Sequence, residues 1–129
     1  MRMFKPFLLL VPVVFLAVGC ASSRVVNLTP TQLERNESGL YPVEAAWVSR
    51  DATIRKETLE PKVMVGLESY PMRPVPVVKD RWETLVPVPA SKDSIRYRFK
   101  FDYEYNAIPV PRKNSKLSPE YKLTIVEPK

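Results

Sequence analysis

Asp102 and Glu104 have the spacing that comes nearest to a catalytic arrangement in this chain. They stand two residues apart in a segment that alternates strictly between aromatic and charged residues. In a β-strand their carboxyl groups would project from one face about 7 Å apart, close to the separation of the acid pair in glycosidases. Arg98 and Lys100 share that face, and alternating charges are typical of a solvated strand surface. We therefore predict that the pair is structural and that the protein is not an enzyme.

The chain contains no histidine, and Cys20 is its only cysteine. Histidine is the commonest general base and the commonest metal ligand, so its absence excludes Ser-His and Cys-His catalysis. The three glycines, at positions 19, 39 and 66, do not form a phosphate-binding loop. The sequence therefore predicts a protein without a metal or an organic cofactor.

The first twenty residues read MRMFKPFLLLVPVVFLAVGC. Two basic side chains, Arg2 and Lys5, precede an apolar run over residues 7–18. A membrane-spanning helix needs about 20 apolar residues, whereas the apolar region of a secretory signal is about 7–15 residues long. The run ends in small residues and the cysteine, as Ala17-Val18-Gly19-Cys20. Residues 1–19 are therefore predicted to be an export signal.

This ending resembles the lipobox of bacterial lipoproteins. In that family the cysteine thiol carries diacylglycerol, the signal is removed just before it, and the new amino group is acylated. The resemblance implies cleavage between Gly19 and Cys20 and a covalent lipid on Cys20, with palmitate among its acyl chains. Ala21 follows where aspartate commonly marks retention in the inner membrane of Gram-negative bacteria. The resemblance thus implies a lipid-anchored protein of the bacterial cell envelope, attached to the outer membrane where there is one.

Cleavage at that point would leave 110 residues, because 129 − 19 = 110, which is enough for one domain. Without Arg2 and Lys5 the remaining 18 basic and 14 acidic side chains give a net charge of +4, since 18 − 14 = 4. That balance is too small to predict a nucleic-acid partner. Residues 20–39 are polar and without periodicity, so we predict a lipidated cysteine and a flexible tether there. The folded domain is predicted over residues 40–129.

Alternation between apolar and polar residues runs through the predicted domain, and no segment has a helical period. The alternating series lie at 41–47, 63–67, 82–88, 95–105 and 121–125. Turn signals rich in proline, aspartate and serine separate them, and this spacing predicts an all-β protein with an antiparallel β-sandwich. Proline cannot donate to a sheet ladder, so the proline-rich strands are predicted at sheet edges or to end at their prolines.

The segment SIRYRFKFDYEYN, residues 94–106, places six large apolar side chains on one face of a strand. An exposed stripe of that size would exceed the apolar patches of ordinary monomers. We predict that Tyr97, Phe99 and Phe101 lie in the core and that Tyr103 and Tyr105 lie at its rim; a ligand platform is the alternative. RNA-binding sheets present aromatic and basic side chains on one accessible surface, whereas here they point to opposite faces. The pattern therefore does not predict RNA binding.

Residues 63–106, VMVGLESYPMRPVPVVKDRWETLVPVPASKDSIRYRFKFDYEYN, are similar in layout to early-set immunoglobulin-like domains. These include the glycogen- and starch-binding modules of glucan enzymes. The resemblance implies an immunoglobulin-like β-sandwich with strands at 63–66, 82–89 and 97–102, and it puts Tyr70 in a loop that could contact sugar. Those modules hold sugars with exposed tryptophans. Trp47 and Trp82 fall in alternating series here, so we expect them in the core.

These features together predict a membrane-anchored structural or protein-interaction module. Its partner would be another envelope protein, contacted through an exposed sheet edge or through the face that carries Arg96, Arg98 and Lys100. The alternative is a carbohydrate-binding module for a glucan or a cell-wall polysaccharide, with Tyr70 as the ligand contact.

Overall fold

The computed structural model describes residues 22–129. The predicted signal and the predicted lipidation site, Cys20, lie outside the described residues. The described chain is all β, as predicted, and none of it is a helix long and apolar enough to cross a membrane. Its strands are β1 (Ser23–Asn27), β2 (Gln32–Glu34), β3 (Leu40–Ser49), β4 (Ile54–Val65), β5 (Glu68–Pro71), β6 (Arg73–Pro74), β7 (Arg81–Pro87), β8 (Ser94–Tyr105), β9 (Arg112–Leu117) and β10 (Tyr121–Val126).

The strands form two sheets. A 4-stranded sheet has the order β1-β3-β7-β6, and a 6-stranded sheet has the order β2-β10-β8-β4-β5 with β9 also paired to β8. All of these pairs are antiparallel except β2 with β10, which is parallel. The predicted β-sandwich is therefore confirmed, with this one parallel pair as a difference.

The aromatic stripe of β8 is the centre of the core. Phe99 and Phe101 have no exposed surface, and Tyr97 is almost as deeply buried. From the facing sheet, Trp47 stacks on Phe101 with the ring centroids 5.2 Å apart and the planes inclined by 17°. Trp82 meets the same ring edge-on at 6.5 Å. The prediction that this stripe belongs to the core is confirmed.

The rim of the core also agrees with the sequence. Tyr103 and Tyr105 are partly buried and pack against the core. Burial raises the pKa of the Tyr103 hydroxyl, and the nearby charge of Asp51 adds to this. Trp47 is buried, and Trp82 is partly buried against the same cluster, so neither tryptophan is a free platform for a sugar.

The flexible tether predicted over 20–39 is wrong for the residues from Ser23 onward. Strand β1 pairs with β3 along its whole length, and β2 pairs with β10. Asn27 Nδ2 donates to the Tyr97 hydroxyl at 2.9 Å, and Leu33 packs against the core. Arg35 Nε donates to Glu127 Oε2 at 2.7 Å beside β2. The folded domain therefore includes residues 23–39.

The two ends of the sandwich carry different loops. At one end, called the Ser22 end, β1 begins beside the end of β3, and the loops 50–53, 75–80 and 106–111 lie around it. At the opposite end, called the Gly39 end, β3 begins, β7 finishes and the β4–β5 hairpin turns. Strand β3 runs from one end to the other, a distance of about 30 Å for its ten residues.

Strands β9 and β10 occupy the same edge of β8, one after the other. Strand β10 pairs with residues 94–97, and β9 pairs with residues 100–105. Between them, Ser118 bridges the gap: its N–H donates to the Phe99 carbonyl at 2.9 Å, and its Oγ accepts from the Phe99 N–H at 2.8 Å. Ser118 is a buried polar residue of the core, and its hydroxyl donates onward to the Pro119 carbonyl.

We expect Ser118→Ala to lower the free energy of unfolding by about 1–3 kcal/mol, because it leaves the buried Phe99 N–H without an acceptor. Denaturant unfolding followed by tryptophan fluorescence measures this change. Ser115→Ala is the matched control, since Ser115 is exposed on β9 and the change there should be within about 0.5 kcal/mol. Equal effects of the two variants would show that the Ser118 bridge contributes nothing.

Candidate binding surface

The charged side chains of β8 lie on the outer face of the 6-stranded sheet. Arg96 is exposed, whereas Arg98 and Lys100 are half-buried. Arg98 Nη2 lies 3.6 Å from Glu120 Oε2, and Lys100 Nζ lies 3.7 Å from Asp102 Oδ1. The structure thus puts the three predicted basic residues on one surface, but it engages two of them in ion pairs.

Asp102 also holds two strands together. Lys62 of β4 lies directly opposite Lys100, and like charges in that position destabilise a sheet. Asp102 reduces the repulsion between the two lysines, because its Oδ1 lies near Lys100 Nζ and its Oδ2 lies 3.4 Å from Lys62 Nζ. Glu104 is paired in the same way with Arg55, at 3.6 Å. Both carboxylates of the candidate pair therefore contact basic side chains on the strand face.

A groove of about 700 Å³ lies beside these carboxylates, and the sequence did not reveal it. It forms where the pairing of β4 with β8 slips between Arg55 and Glu60. Thr58 Oγ1 replaces the missing ladder partner, since it accepts from the Glu104 N–H at 2.8 Å and donates to the Arg55 carbonyl at 2.6 Å. Within residues 22–129 no group of three histidine, cysteine or acidic side chains could hold a metal ion. The groove is thus a consequence of this break in the pairing, and its lining residues do not indicate a particular ligand.

Tyr70 lies in strand β5, so the prediction that it belongs to a loop is wrong. It pairs with Val63, a fully buried residue of β4. Residues directly opposite in an antiparallel pair share a face, so Tyr70 faces inward and is partly buried against the core. Tyr70 nevertheless also lines a surface groove.

This groove, called the Tyr70 groove, has a volume of about 550 Å³ at the Gly39 end. Its polar lining includes Ser38, Glu68 and Lys92. Its apolar lining comes from both sheets, with Leu40 and Pro87 on one side and Val65 and Ile95 on the other.

An apolar surface continues from the groove onto the outer face of the 4-stranded sheet. Leu40 lies opposite Pro87, and Pro42 lies opposite Leu85. All four side chains are exposed, and together they form what we call the leucine–proline patch. Leu40 and Pro87 belong to both the patch and the Tyr70 groove, so the two are one continuous surface.

Proline explains part of this arrangement. Pro42 lies within β3, which has β7 on one side and β1 on the other. Strand β1 pairs only with residues 45–49, so no strand of the described chain lies beside Pro42 on the β1 side. Pro42 therefore needs no hydrogen-bond donor on that side. Pro87 ends β7, as the prediction for proline-rich strands requires. The alternation of the sequence already places the patch residues on the outer face of the sheet, where polar side chains are expected. Their apolar character was the signal of a candidate interaction surface, and it was missed.

No protein-family model, no curated protein and no solved structure matches this chain. The class that residues 22–129 define is a β-sandwich domain with an apolar surface at one end. The immunoglobulin-like resemblance stays a prediction beyond that.

Proposed function

We propose that this protein is a non-catalytic binding module, anchored by a lipid on Cys20 in a bacterial cell envelope, and that it binds another envelope protein. The partner would contact the leucine–proline patch together with the Tyr70 groove. The lipobox-like ending at Cys20 supports the anchor. The outer membrane is the proposed location, because Ala21 follows the cysteine.

The exposed pairs of the leucine–proline patch carry the proposal. A sheet face in contact with water usually presents polar side chains, so four adjacent apolar ones mark an interaction surface. Two of the four are prolines, whose rigid rings lose little entropy when a partner covers them. By comparison, the ion pairs to Glu120 and Asp102 already engage Arg98 and Lys100. We therefore favour the patch over the basic face for the main contact.

The position of the patch fits an anchored module. The chain enters the fold at the Ser22 end, and the patch lies at the Gly39 end, about 30 Å away along β3. A lipid on Cys20 would hold the first end at the membrane and leave the second accessible to proteins of the surrounding compartment. A lipid-anchored module that binds another protein needs its binding surface at a distance from the bilayer.

Leu40→Arg should reduce capture of the partner by about tenfold or more, because it puts a charged side chain at the centre of an apolar contact. The measurement is photo-crosslinking in cells from a photoreactive residue at Leu85, with and without Leu40→Arg in the same chain.

Val48→Arg is the matched control for this experiment. Val48 lies on the same face of the same strand and is 39% exposed against 38% for Leu40, but it is near the Ser22 end. Leu40→Arg should leave stability within about 0.5 kcal/mol of the original, because the site is exposed. Val48→Arg should cost up to about 1 kcal/mol, because the new side chain lies opposite Arg24 of β1. A crosslinked complex that Leu40→Arg leaves undiminished, or that Val48→Arg reduces equally, would contradict the patch as the contact.

A carbohydrate-binding module is the second candidate, and the Tyr70 groove is the observation that favours it. An aromatic ring beside Ser38, Glu68 and Lys92 combines an apolar contact with hydrogen-bonding groups. Co-sedimentation with cell-wall sacculi and with insoluble α-glucan tests this function. Tyr70→Leu keeps an apolar side chain against the core but removes the ring. Binding that Tyr70→Leu abolishes would place the carbohydrate function first, and absence of binding would leave the protein partner.

A further inference from the structure

The Ser22 end carries apolar side chains that the fold leaves in water. Val77 is fully exposed at the tip of the loop 75–80, and Ile108 is 92% exposed in the loop 106–111. Val78 and Val110, in the same two loops, are also exposed. These loops belong to different sheets, so the apolar tips cover both halves of this end.

The backbone gives no reason for a valine at position 77. Its φ is 70°, in the left-handed region that β-branched residues rarely adopt, and glycine or asparagine would fit there with less strain. The side chain of Val77 packs on nothing in the fold, because it is fully exposed. Neither packing nor conformation therefore accounts for the apolar residue at this tip.

Basic side chains surround the tips. Arg50, Lys79 and Arg112 are exposed, and none of them takes part in an ion pair within residues 22–129. Two acidic side chains belong to these loops, and only Asp80 takes part in an ion pair. Asp51 accepts two hydrogen bonds from Thr53, at 2.9 and 2.6 Å, and Asp80 lies 3.0 Å from Lys56 Nζ. Hydrogen bonds from a neutral threonine leave Asp51 negatively charged, so three unpaired basic side chains stand against one unpaired carboxylate in these loops and the balance of free charge is positive.

The start of the described chain lies among these loops. The Arg50 N–H donates to the Ser22 carbonyl at 3.1 Å, and the Asn106 N–H donates to the Thr53 carbonyl at 2.8 Å. Strand β9, which follows the loop 106–111, contacts β1. Only Ala21 and Ser22 separate Cys20 from β1. A lipid on Cys20 would therefore bring this end against the bilayer.

We infer that the Ser22 end is a membrane-docking surface, in which the tips at Val77 and Ile108 enter the interfacial layer while Arg50, Lys79 and Arg112 contact anionic lipid headgroups. The inference rests on the proposed lipid anchor. Exposed apolar residues flanked by basic ones are the composition that binds a lipid surface. Docking fixes the orientation of the domain, so that the leucine–proline patch points away from the membrane.

The test uses the full chain, purified and reconstituted in vesicles of phosphatidylethanolamine and phosphatidylglycerol. Single substitutions Val77→Cys, Ile108→Cys and Leu67→Cys are labelled with a water-soluble maleimide. Leu67 is the matched control, because it is as fully exposed as Val77 but lies in the β4–β5 turn at the Gly39 end. Each labelling rate is divided by the rate of the same variant unfolded in guanidinium chloride.

Cysteines at 77 and 108 should label about tenfold more slowly than a cysteine at 67, which corresponds to tips that spend about nine-tenths of the time in lipid. Protection should decrease in vesicles of phosphatidylcholine alone, because the headgroups are then neutral overall. Equal rates at the three positions in the phosphatidylglycerol vesicles would overturn the inference. So would protection in native membranes that is lost in these vesicles, because a protein would then cover the tips.

The original chain, whose only cysteine is Cys20, separates this inference from the anchor. A lipidated thiol takes up no maleimide, so any adduct at Cys20, counted by mass, contradicts the anchor. The labelling rates at positions 77 and 108 are measured from the maleimide adducts on those cysteines. They therefore report docking separately from the lipidation of Cys20.

Discussion

Phe101→Ala should lower the free energy of unfolding by about 3–5 kcal/mol, the largest loss of stability that we expect from a single truncation in this domain. Phe101 has no exposed surface and contacts both tryptophans, with Trp47 stacked on it and Trp82 edge-on. Its removal leaves a cavity between the two sheets, and the strands on either side cannot close it without losing their pairing. Denaturant unfolding of the described domain measures the change.

Tyr105→Ala is the control, because Tyr105 lies on the same face of the same strand but is only partly buried. Its truncation should cost less than half as much, since the rim can relax toward water. A domain of this size has about 5–15 kcal/mol of stability, so Phe101→Ala could remain unfolded. Phe101→Leu then supplies the measurement, with an expected cost of about 1–1.5 kcal/mol. Equal costs of like substitutions, Phe101→Ala against Tyr105→Ala or Phe101→Leu against Tyr105→Leu, would contradict a core centred on Phe101.

The alternation of β8 was sufficient to predict its structure. Six large apolar side chains at every second residue need a cover on one face, and a second sheet is the cover that a sequence without a helical period can provide. The same reasoning placed Trp47 in the core. Each prediction succeeded because the period of the side chains and the burial of one face are properties of the strand itself.

Residues 23–39 were misjudged because their structure comes from remote partners. Strand β1 has five residues and β2 has three, too short for an alternation to be recognised. The parallel pairing of β2 with β10 joins segments about 90 residues apart in the chain. Short polar strands of this kind form because the edge of a neighbouring strand, β3 or β10 here, offers hydrogen-bond partners. The sequence of the short segment alone does not show that such an edge is nearby.

The candidate site was only partly accessible to sequence reasoning for a related reason. Tyr70 was predicted to lie in a loop that could contact sugar, but its strand and inward direction follow from its pairing with Val63. The leucine–proline patch requires knowing that Leu40 and Pro87, far apart in sequence, lie opposite each other. Cross-strand neighbours of this type depend on register, and a one-residue shift would have turned these side chains inward.

Cys20→Ala should abolish both removal of the 19-residue signal and incorporation of labelled palmitate, an all-or-none effect if the resemblance to the lipobox holds. The reason is chemical, because the thiol is the only sulfur nucleophile of the chain that can carry diacylglycerol. The readouts are the electrophoretic mobility of the chain in cells, since the precursor keeps its signal, and radioactivity after palmitate feeding. Ala21→Ser is the control and should be processed normally, because the cysteine remains.

Normal processing of Cys20→Ala would contradict the anchor, and it would also remove the reason for the orientation proposed above. Each acyl CH₂ group in the bilayer contributes about 0.8 kcal/mol, so several chains outweigh what the few apolar tips of the Ser22 end can provide. The tips alone would therefore bind weakly and reversibly. The lipid supplies the attachment, and the tips and basic side chains select which end of the sandwich meets the membrane.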